Sequence, residues 1–380
     1  MKNPLGLDAA MRVALNGLFL QEPATGTGQY LRELGAALRA HAPADEFSFI
    51  APRADPTAPA PVIVASPRLA RENFAKLEFE HCAFPRVAQK NKFTLAHVPH
   101  FGPPLFPTLP TVVTIHDLIP FRLPAYRGSR RVQWYTALAA RGAARARALV
   151  ADSEASARDI ETYLHLPRAK IHVIYLAAQS RFHAALDATE LERVRAKYHL
   201  PERFILYLGG FDARKNVARL IAAFARIQAK EWKLVLAGKL PTQDSAFFPD
   251  PRRAAVENKI ADRITLPGFI DEADKPALYA LARILAYPSL YEGFGLPPLE
   301  AMACGTPVVS SDGGSLPEVV GDAGILLSPH ETGNWTEALT QLLTDDARWA
   351  ERRAAGLAQA RKFSWARAAR ETLAVYRAVV

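Results

Sequence analysis

An apolar run closed by a glycine turn and followed by an amphipathic helix is written twice in this chain, and that repetition restricts the fold more than any other feature. The first run covers residues 11–16, followed by Gly17 and a loop to Gly26-Thr27-Gly28. From there Tyr30, Leu31, Leu34, Ala37 and Leu38 recur at three- and four-residue spacing, the period of a helix with one buried face. Residues 204–208 restart the pattern, turning at Gly209 and Gly210 before Arg214-Lys215-Asn216 and a helix through Leu220, Ile221, Phe224 and Ile227. Buried strands alternating with helices imply parallel sheets covered on both faces, so the expected class is α/β with two Rossmann-like domains. A length of 380 residues, more than one core usually supports, gives the same count. The expected division is an N-terminal domain over 1–180, a C-terminal domain over 181–362 and a last helix over 363–380. Loss of periodicity over 177–188 marks the linker, and a cleft at a domain junction is where ligands usually bind. Gly26 and Gly28 lack the third glycine of the dinucleotide fingerprint, which argues against NAD.

Composition narrows the functional class. With 49% hydrophobic and 22% charged residues the chain reads as an ordinary folded protein. No run of about twenty apolar residues is present, so no spanning helix is expected. Residues 1–8 show no secretory core before Asp8 and Arg12 intervene, which predicts a cytoplasmic protein. Cys82 and Cys304 have neither disulfide-framework nor zinc-ligand spacing. The formal charge is +9, and residues 118–151 contain no acidic residue but carry Arg122, Arg127, Arg130, Arg131, Arg141, Arg145 and Arg147. Such a patch attracts phosphates, of an anionic membrane surface or of a diphosphate-linked acceptor; a merely solvated basic face is the plainer reading. Nucleic acid is disfavoured because no binding module is recognisable. Residues 68–84 can form a helix with Leu69, Phe74, Leu77, Phe79 and Phe84; their spacing fits core packing better than a face resting on a membrane.

Chemistry concentrates in residues 288–309. The apolar run 283–288 predicts a buried strand, Gly293 and Gly295 a tight turn, Pro297 and Pro298 the first turn of a helix that carries Glu300, and Gly305 its stop before the strand 306–310. Exposed N–H groups over Gly293, Phe294, Gly295 and Leu296, with the helix dipole behind them, make a place for an anion such as phosphate. Arg214 and Lys215, basic residues at a helix start after a strand, offer two cations for a diphosphate. A strand over 111–115 ends at His116, and ligands of open α/β sheets bind beyond the carboxyl ends of strands. Ser315-Leu316-Pro317-Glu318 has the form of a capping box, and residues 335–361 read as strongly helical.

The order Glu292, Gly293-Phe294-Gly295, Pro297-Pro298, Glu300 and Cys304-Gly305-Thr306-Pro307-Val308 resembles the signature of the family 4 glycosyltransferases, retaining enzymes of GT-B architecture that move a sugar from a nucleotide-sugar donor. The run 114–120 around His116 also resembles the family's. The resemblance implies two Rossmann-like domains facing each other across a cleft, with the C-terminal helix crossing back to the first. It assigns Glu292 to hydroxyls of the donor sugar, Glu300 to the ribose, His116 to the donor sugar, and Lys215 with Arg214 to the diphosphate. Gly210 stands where many relatives carry arginine, which leaves Arg214 as the second cation. The loops at Gly26 and Gly28, at Gly209 and Gly210, at Lys239 and at Gly268 are implied on the donor side; Tyr30, His97 and His100 are the acceptor-side candidates. No Asp-x-Asp ligand set precedes the cleft, so the nucleotide-sugar is expected to be used without a metal or other cofactor. The expected reaction is hexosyl transfer, from GDP-mannose first, to a glycan or polyprenyl-diphosphate-linked acceptor in bacterial surface polysaccharide synthesis, at the inner face of the cell membrane. A UDP-sugar transferase and a sugar-nucleotide epimerase of the same fold are the alternatives.

Overall fold

A computed structural model describes residues 10–69 and 72–380; the leader reading over 1–8 lies outside the described residues. The chain divides into two units, one formed by Met1–Leu176 with Trp365–Val380, the other by Ala177–Ser364. The long apolar runs that the sequence marks are strands, and among the described residues all of the strand pairing is parallel.

In the first unit β1 (Arg12–Asn16), β2 (Glu46–Ala51), β3 (Val62–Val64), β4 (Leu95–Val98), β5 (Thr111–Ile115), β6 (Ala148–Ala151) and β7 (Ile171–Val173) pair in the order β3-β2-β1-β4-β5-β6-β7. In the second, β8 (Phe204–Leu208), β9 (Lys233–Ala237), β10 (Ile264–Gly268), β11 (Ile284–Tyr287), β12 (Val308–Ser311) and β13 (Ile325–Leu327) pair in the order β10-β9-β8-β11-β12-β13. Every residue of β5, β6, β8 and β11 is buried, the mark of a sheet covered on both faces. Phe79, Phe84, Val113 and Leu149 belong to the first core, and Tyr207, Phe224, Leu236, Tyr287 and Trp335 to the second. In each unit the chain winds outward on one side from the first strand, returns, and winds outward on the other from the fourth. The point of reversal therefore lies between β1 and β4 and between β8 and β11, and loops leaving the carboxyl ends there have no crossover to cover them.

The terminal helix Trp365–Val379 lies in the first unit against the helix Gly26–His41, with Ala368, Ala369, Leu373 and Tyr376 buried. The Tyr376 hydroxyl meets His97 Nδ1 at 2.6 Å, which ties this distant segment to β4. Four local expectations are corrected. Gly26 and Gly28 lie inside the first turn of the helix Gly26–His41 rather than in a loop before it, because Thr25 caps that helix through the Gly28 N–H at 3.1 Å. The helix expected over 68–84 is instead Glu72–Glu78, a π-helical turn Phe79–Ala83 and the helix Phe84–Lys90; Phe79 and Phe84 are buried while Leu69 and Phe74 are exposed. The helix expected over 335–361 is two, Thr332–Thr344 and Asp346–Ala360, since Asp345 turns its carboxylate onto the Arg348 N–H at 2.9 Å and caps the second. Ser315 starts the helix Leu316–Val320 without capping it, for a reason that belongs to the site below. Among the described residues both cysteines are free, and no helix is long and apolar enough to cross a membrane.

Candidate active site

The reversal point of the second sheet brings two loops together. β8 and β11 are hydrogen-bonded neighbours, in register at Ile205 with Ile284 and Leu206 with Leu285, so the loops leaving the two strands emerge side by side. After β8 the chain passes Gly209 and Gly210, makes a short 3-10 turn Ala213–Lys215 and enters the helix Val217–Ala225 through Asn216. After β11 it runs through residues 288–295 into the helix Leu296–Ala303.

Between these loops the Glu292 carboxylate is buried and ringed by donors. Its Oε1 accepts from Lys215 Nζ at 2.6 Å, from the Ser289 hydroxyl at 2.6 Å and from the Tyr287 hydroxyl at 3.1 Å; Oε2 lies 2.7 Å from an Arg214 nitrogen. Burial alone would raise the Glu292 pKa, but the Lys215 and Arg214 charges and the Lys215 and Ser289 hydrogen bonds outweigh it and hold the carboxyl at about 2. Arg214 is shifted upward: burial opposes its charge, and Glu292 and Asp212 more than offset that. Lys215 also donates to the Tyr287 hydroxyl at 2.8 Å, so two of its three N–H bonds are engaged. The sequence suggests cations reserved for phosphate and a glutamate reserved for a sugar; the structure joins the three in one ion cluster.

The helix start differs from the expected anion site in its donors. Gly295 is the cap, and Pro297 and Pro298 occupy the second and third helical positions without N–H groups, so the donors are those of the loop and of Leu296. Glu300, a turn further on, faces away from the ion cluster toward the helix Lys275–Leu281, where the Tyr279 hydroxyl donates to its Oε2 at 2.9 Å. Burial pushes its pKa up against the opposing pull of Lys275 and Tyr279. Two carboxyls with seven residues between them thus have opposite surroundings: charges and donors lower the pKa of Glu292, and burial raises that of Glu300.

Several residues that hold this loop escape sequence reasoning. The Ser315 hydroxyl directs its one proton to the carbonyls of Phe294, at 2.5 Å, and Glu292, at 3.1 Å, which is why it is lost to its own helix. Gly314, at φ +67°, lies so close beneath the loop that a Cβ would stand 2.3 Å from the Glu292 carbonyl oxygen. Only glycine meets both demands. The pair Gly313-Gly314 after β12 is the signal in the sequence that could have found them. Ser289 and Tyr287 gave no such signal. Elsewhere in this unit the Gly209 N–H donates to the Ala237 carbonyl at 3.1 Å and the Gly238 N–H to the Gly268 carbonyl at 2.8 Å, so the ends of β8, β9 and β10 are linked. Gly210 and Lys239 are exposed at these ends, and the structure gives Lys239 no part in the Glu292 cluster.

In the first unit Tyr30, His97 and His116 come together around Thr114. The Thr114 Oγ1 is 3.0 Å from the Tyr30 hydroxyl and 2.8 Å from His97 Nε2, and the Tyr30 ring meets that of His116 edge-on at 5.0 Å. His97 is fully buried with both nitrogens engaged, and burial lowers its pKa to about 3. Tyr30 is likewise buried. In this structure both side chains are engaged within the first unit, through Thr114 and Tyr376. His100 is buried too, its Nε2 3.1 Å from Glu80, which also takes the Tyr135 hydroxyl at 2.9 Å. His116 keeps an accessible edge, 23% of its side chain, and pairs through Nδ1 with Asp152 at 2.7 Å. Gly28 approaches the preceding loop so closely that a Cβ would lie 2.0 Å from the Glu22 carbonyl oxygen, whereas Gly26 has open space around it. Among the described residues no group of three or more His, Cys, Asp or Glu is placed to hold a metal ion.

Comparison with known proteins agrees with this architecture. Residues 190–363 match the family described as glycosyl transferases group 1, and residues 24–178 match glycosyltransferase family 4. The chain is 35% identical over 271 residues to the O-antigen chain mannosyltransferase B of Escherichia coli, an alignment that covers 70% of each protein. Among solved structures it is similar to sucrose-phosphate synthase from Thermosynechococcus elongatus, at a TM-score of 0.74 and 23% identity over 97% of this chain and 98% of the other. It is similar also to Anabaena HepE in complex with UDP and glucose, at 0.74 and 18% over 97% of this chain and all of the other. Two units of parallel sheet in this strand order, the ion cluster on the signature loop and a relative this similar lead to one conclusion: the chain belongs to the family 4 glycosyltransferases and is a hexosyltransferase.

Proposed function

We propose that this protein transfers mannose from GDP-mannose, with retention of configuration, to a glycan or polyprenyl-diphosphate-linked acceptor in bacterial surface polysaccharide synthesis, as a cytoplasmic enzyme working at the inner face of the membrane. The observation that carries the reading is the meeting of Lys215 and Arg214 with Glu292 beside the loop N–H groups at the carboxyl ends of β8 and β11. Breaking a sugar–phosphate bond builds negative charge on the departing diphosphate, and preorganised cations and amides act on that charge. The acceptor oxygen bonds to the anomeric carbon as the bond to phosphate breaks. The nucleoside diphosphate leaves with the electron pair, and the acceptor's proton passes to a phosphate oxygen, on the face from which the diphosphate departs. Side-chain cations stand where a metal would otherwise balance the charge, so turnover is expected to survive a chelator. Support for mannose comes from the Escherichia coli relative, itself named a mannosyltransferase. A UDP-sugar is the second reading, favoured by the likeness to a structure that holds UDP and glucose.

The test incubates the full chain with labelled GDP-mannose, or with labelled UDP-glucose, with and without a polyprenyl-diphosphate glycan extract, each in the presence and absence of EDTA. Label is expected to pass from GDP-mannose to the lipid fraction only when the extract is present. Label that never leaves a nucleotide, or a sugar converted with no acceptor present, overturns transfer.

A further inference from the structure

His116 follows β5, and it is held from both neighbouring strands. Asp152 follows β6, paired with β5 so that Ile115 faces Ala151; Pro99 follows β4 on the other side. The imidazole spans the gap between the two loops: Nδ1 is 2.7 Å from Asp152 Oδ2, and Nε2 is 3.2 Å from the Pro99 carbonyl oxygen. Both partners are acceptors. A carbonyl oxygen has no proton to give, and a carboxylate accepts only. A neutral imidazole carries one N–H and would leave one of these contacts as two lone pairs facing each other. The protonated ring carries two and satisfies both.

We propose that Asp152 and the Pro99 carbonyl hold His116 as an imidazolium, which makes Asp152 a positioning residue and makes His116 a cationic hydrogen-bond donor to a sugar hydroxyl or phosphate oxygen rather than a base. The surrounding charges agree. Burial by itself would lower the His116 pKa, but the Asp152 charge and hydrogen bond, the Asp117 charge and the Pro99 carbonyl reverse that, and the net direction is upward. The other groups that face the ring bring no competing charge. His97 is kept neutral by burial, the His100 pKa is lowered, and the Tyr30 phenol is pushed far above its ordinary value. Beyond His100 the Lys76 ammonium is 3.9 Å from Glu80, a pair of opposite charges. Asp152 is almost wholly buried, so little water screens its charge from the imidazole. Of the two N–H bonds, the one to Pro99 is longer, and it is this Nε2–H that a ligand oxygen can take over.

The consequence for activity rests on the transferase reading, but the protonation state does not, and the decisive measurement needs neither donor nor acceptor. Long-range 15N–1H correlation spectra of the labelled full chain, with the His116 signal identified by its loss in His116→Gln, follow both ring nitrogens against pH. Two protonated nitrogens are expected at pH 7, with the titration midpoint above the ordinary 6.5 of histidine. In Asp152→Asn the midpoint is expected to fall by roughly one unit or more, the size of a lost opposite charge at this distance. A single-protonated His116 at pH 7 in the unaltered protein overturns the proposal, and so does an Asp152→Asn midpoint equal to the original. Should Asp152→Asn fail to fold, the titration of the unaltered chain decides alone. If transfer is established, kcat is expected to decline as pH rises through the His116 midpoint, and the decline moves to lower pH in Asp152→Asn. A purely structural Asp152 would lower the amount of folded enzyme without moving that midpoint.

Discussion

At the residue scale the chemistry comes down to how few donors Lys215 has left. An ammonium has three N–H bonds, and here two go to Glu292 and Tyr287, so a phosphate oxygen has one to take unless Glu292 turns toward a ligand of its own. Sugar hydroxyls are such ligands for a carboxylate, so on the proposed reading the cluster would couple recognition of sugar and of diphosphate through shared protons. Replacing Lys215→Ala is expected to slow turnover by about two orders of magnitude, roughly 3 kcal/mol on the scale of a lost oxyanion donor. Single-turnover rates on protein shown by circular dichroism to be folded give the check, and an unaltered rate would remove Lys215 from the mechanism. Glu300 belongs to a different environment, capped by Tyr279 and raised in pKa, and it is not interchangeable with Glu292 despite the similar sequence surroundings.

At the element scale the signature loop keeps its shape through main-chain contacts made from the next strand's exit. Gly313, Gly314 and Ser315 leave β12 beneath residues 290–294, and their contacts fall on carbonyls, which no side-chain substitution in the loop itself would remove. Gly314→Ala puts a Cβ onto the Glu292 carbonyl at a left-handed φ, and such strain costs about 1–3 kcal/mol before the clash is relieved. Ser315→Ala loses the one hydroxyl proton shared between two carbonyls without adding any atom, at about 0.5–1.5 kcal/mol. Thermal denaturation of both variants should therefore rank Gly314→Ala below Ser315→Ala and both below the parent; the opposite ranking would mean the loop yields freely to Gly314. The same economy of contact is seen in the first unit, where the Tyr376 hydroxyl, His97 and Thr114 join the last helix, β4 and β5 in a single buried line.

At the scale of the whole molecule the two units respond differently to acid. A group whose folded pKa is lowered stabilises the fold above its unfolded pKa and loses that contribution as pH falls to the folded value. His81, His97, His100 and His172 all lie in the first unit with lowered values, His97 at about 3, so this unit loses stability as pH falls from 6.5 toward 3. Raised His116 contributes fully below 6.5 and adds no slope there. In the second unit the Glu292 contribution holds until pH drops below 4.5 and is lost toward about 2. Denaturant melts between pH 6.5 and 4.5 are expected to show weakening confined to the first unit, reduced in His97→Asn. Equal weakening of both units, or a slope that His97→Asn leaves as it was, would contradict this assignment.

Periodicity and glycine placement carried the fold into the sequence because a strand covered on both faces must be apolar throughout, and a helix packed on one face must repeat every three to four residues. The two α/β units, the return of the last helix and the neighbourhood of Arg214, Lys215, Glu292 and Glu300 were legible for that reason. Partners were not. That Lys215 and Arg214 bind Glu292, that Ser315 abandons its own helix, and that Tyr30 and His97 meet at Thr114 all depend on residues tens to hundreds of positions apart. A linear pattern records which face of an element is buried. Only the strand order β10-β9-β8-β11-β12-β13, which reverses between β8 and β11, decides which loop ends stand together and so which charges must neutralise one another.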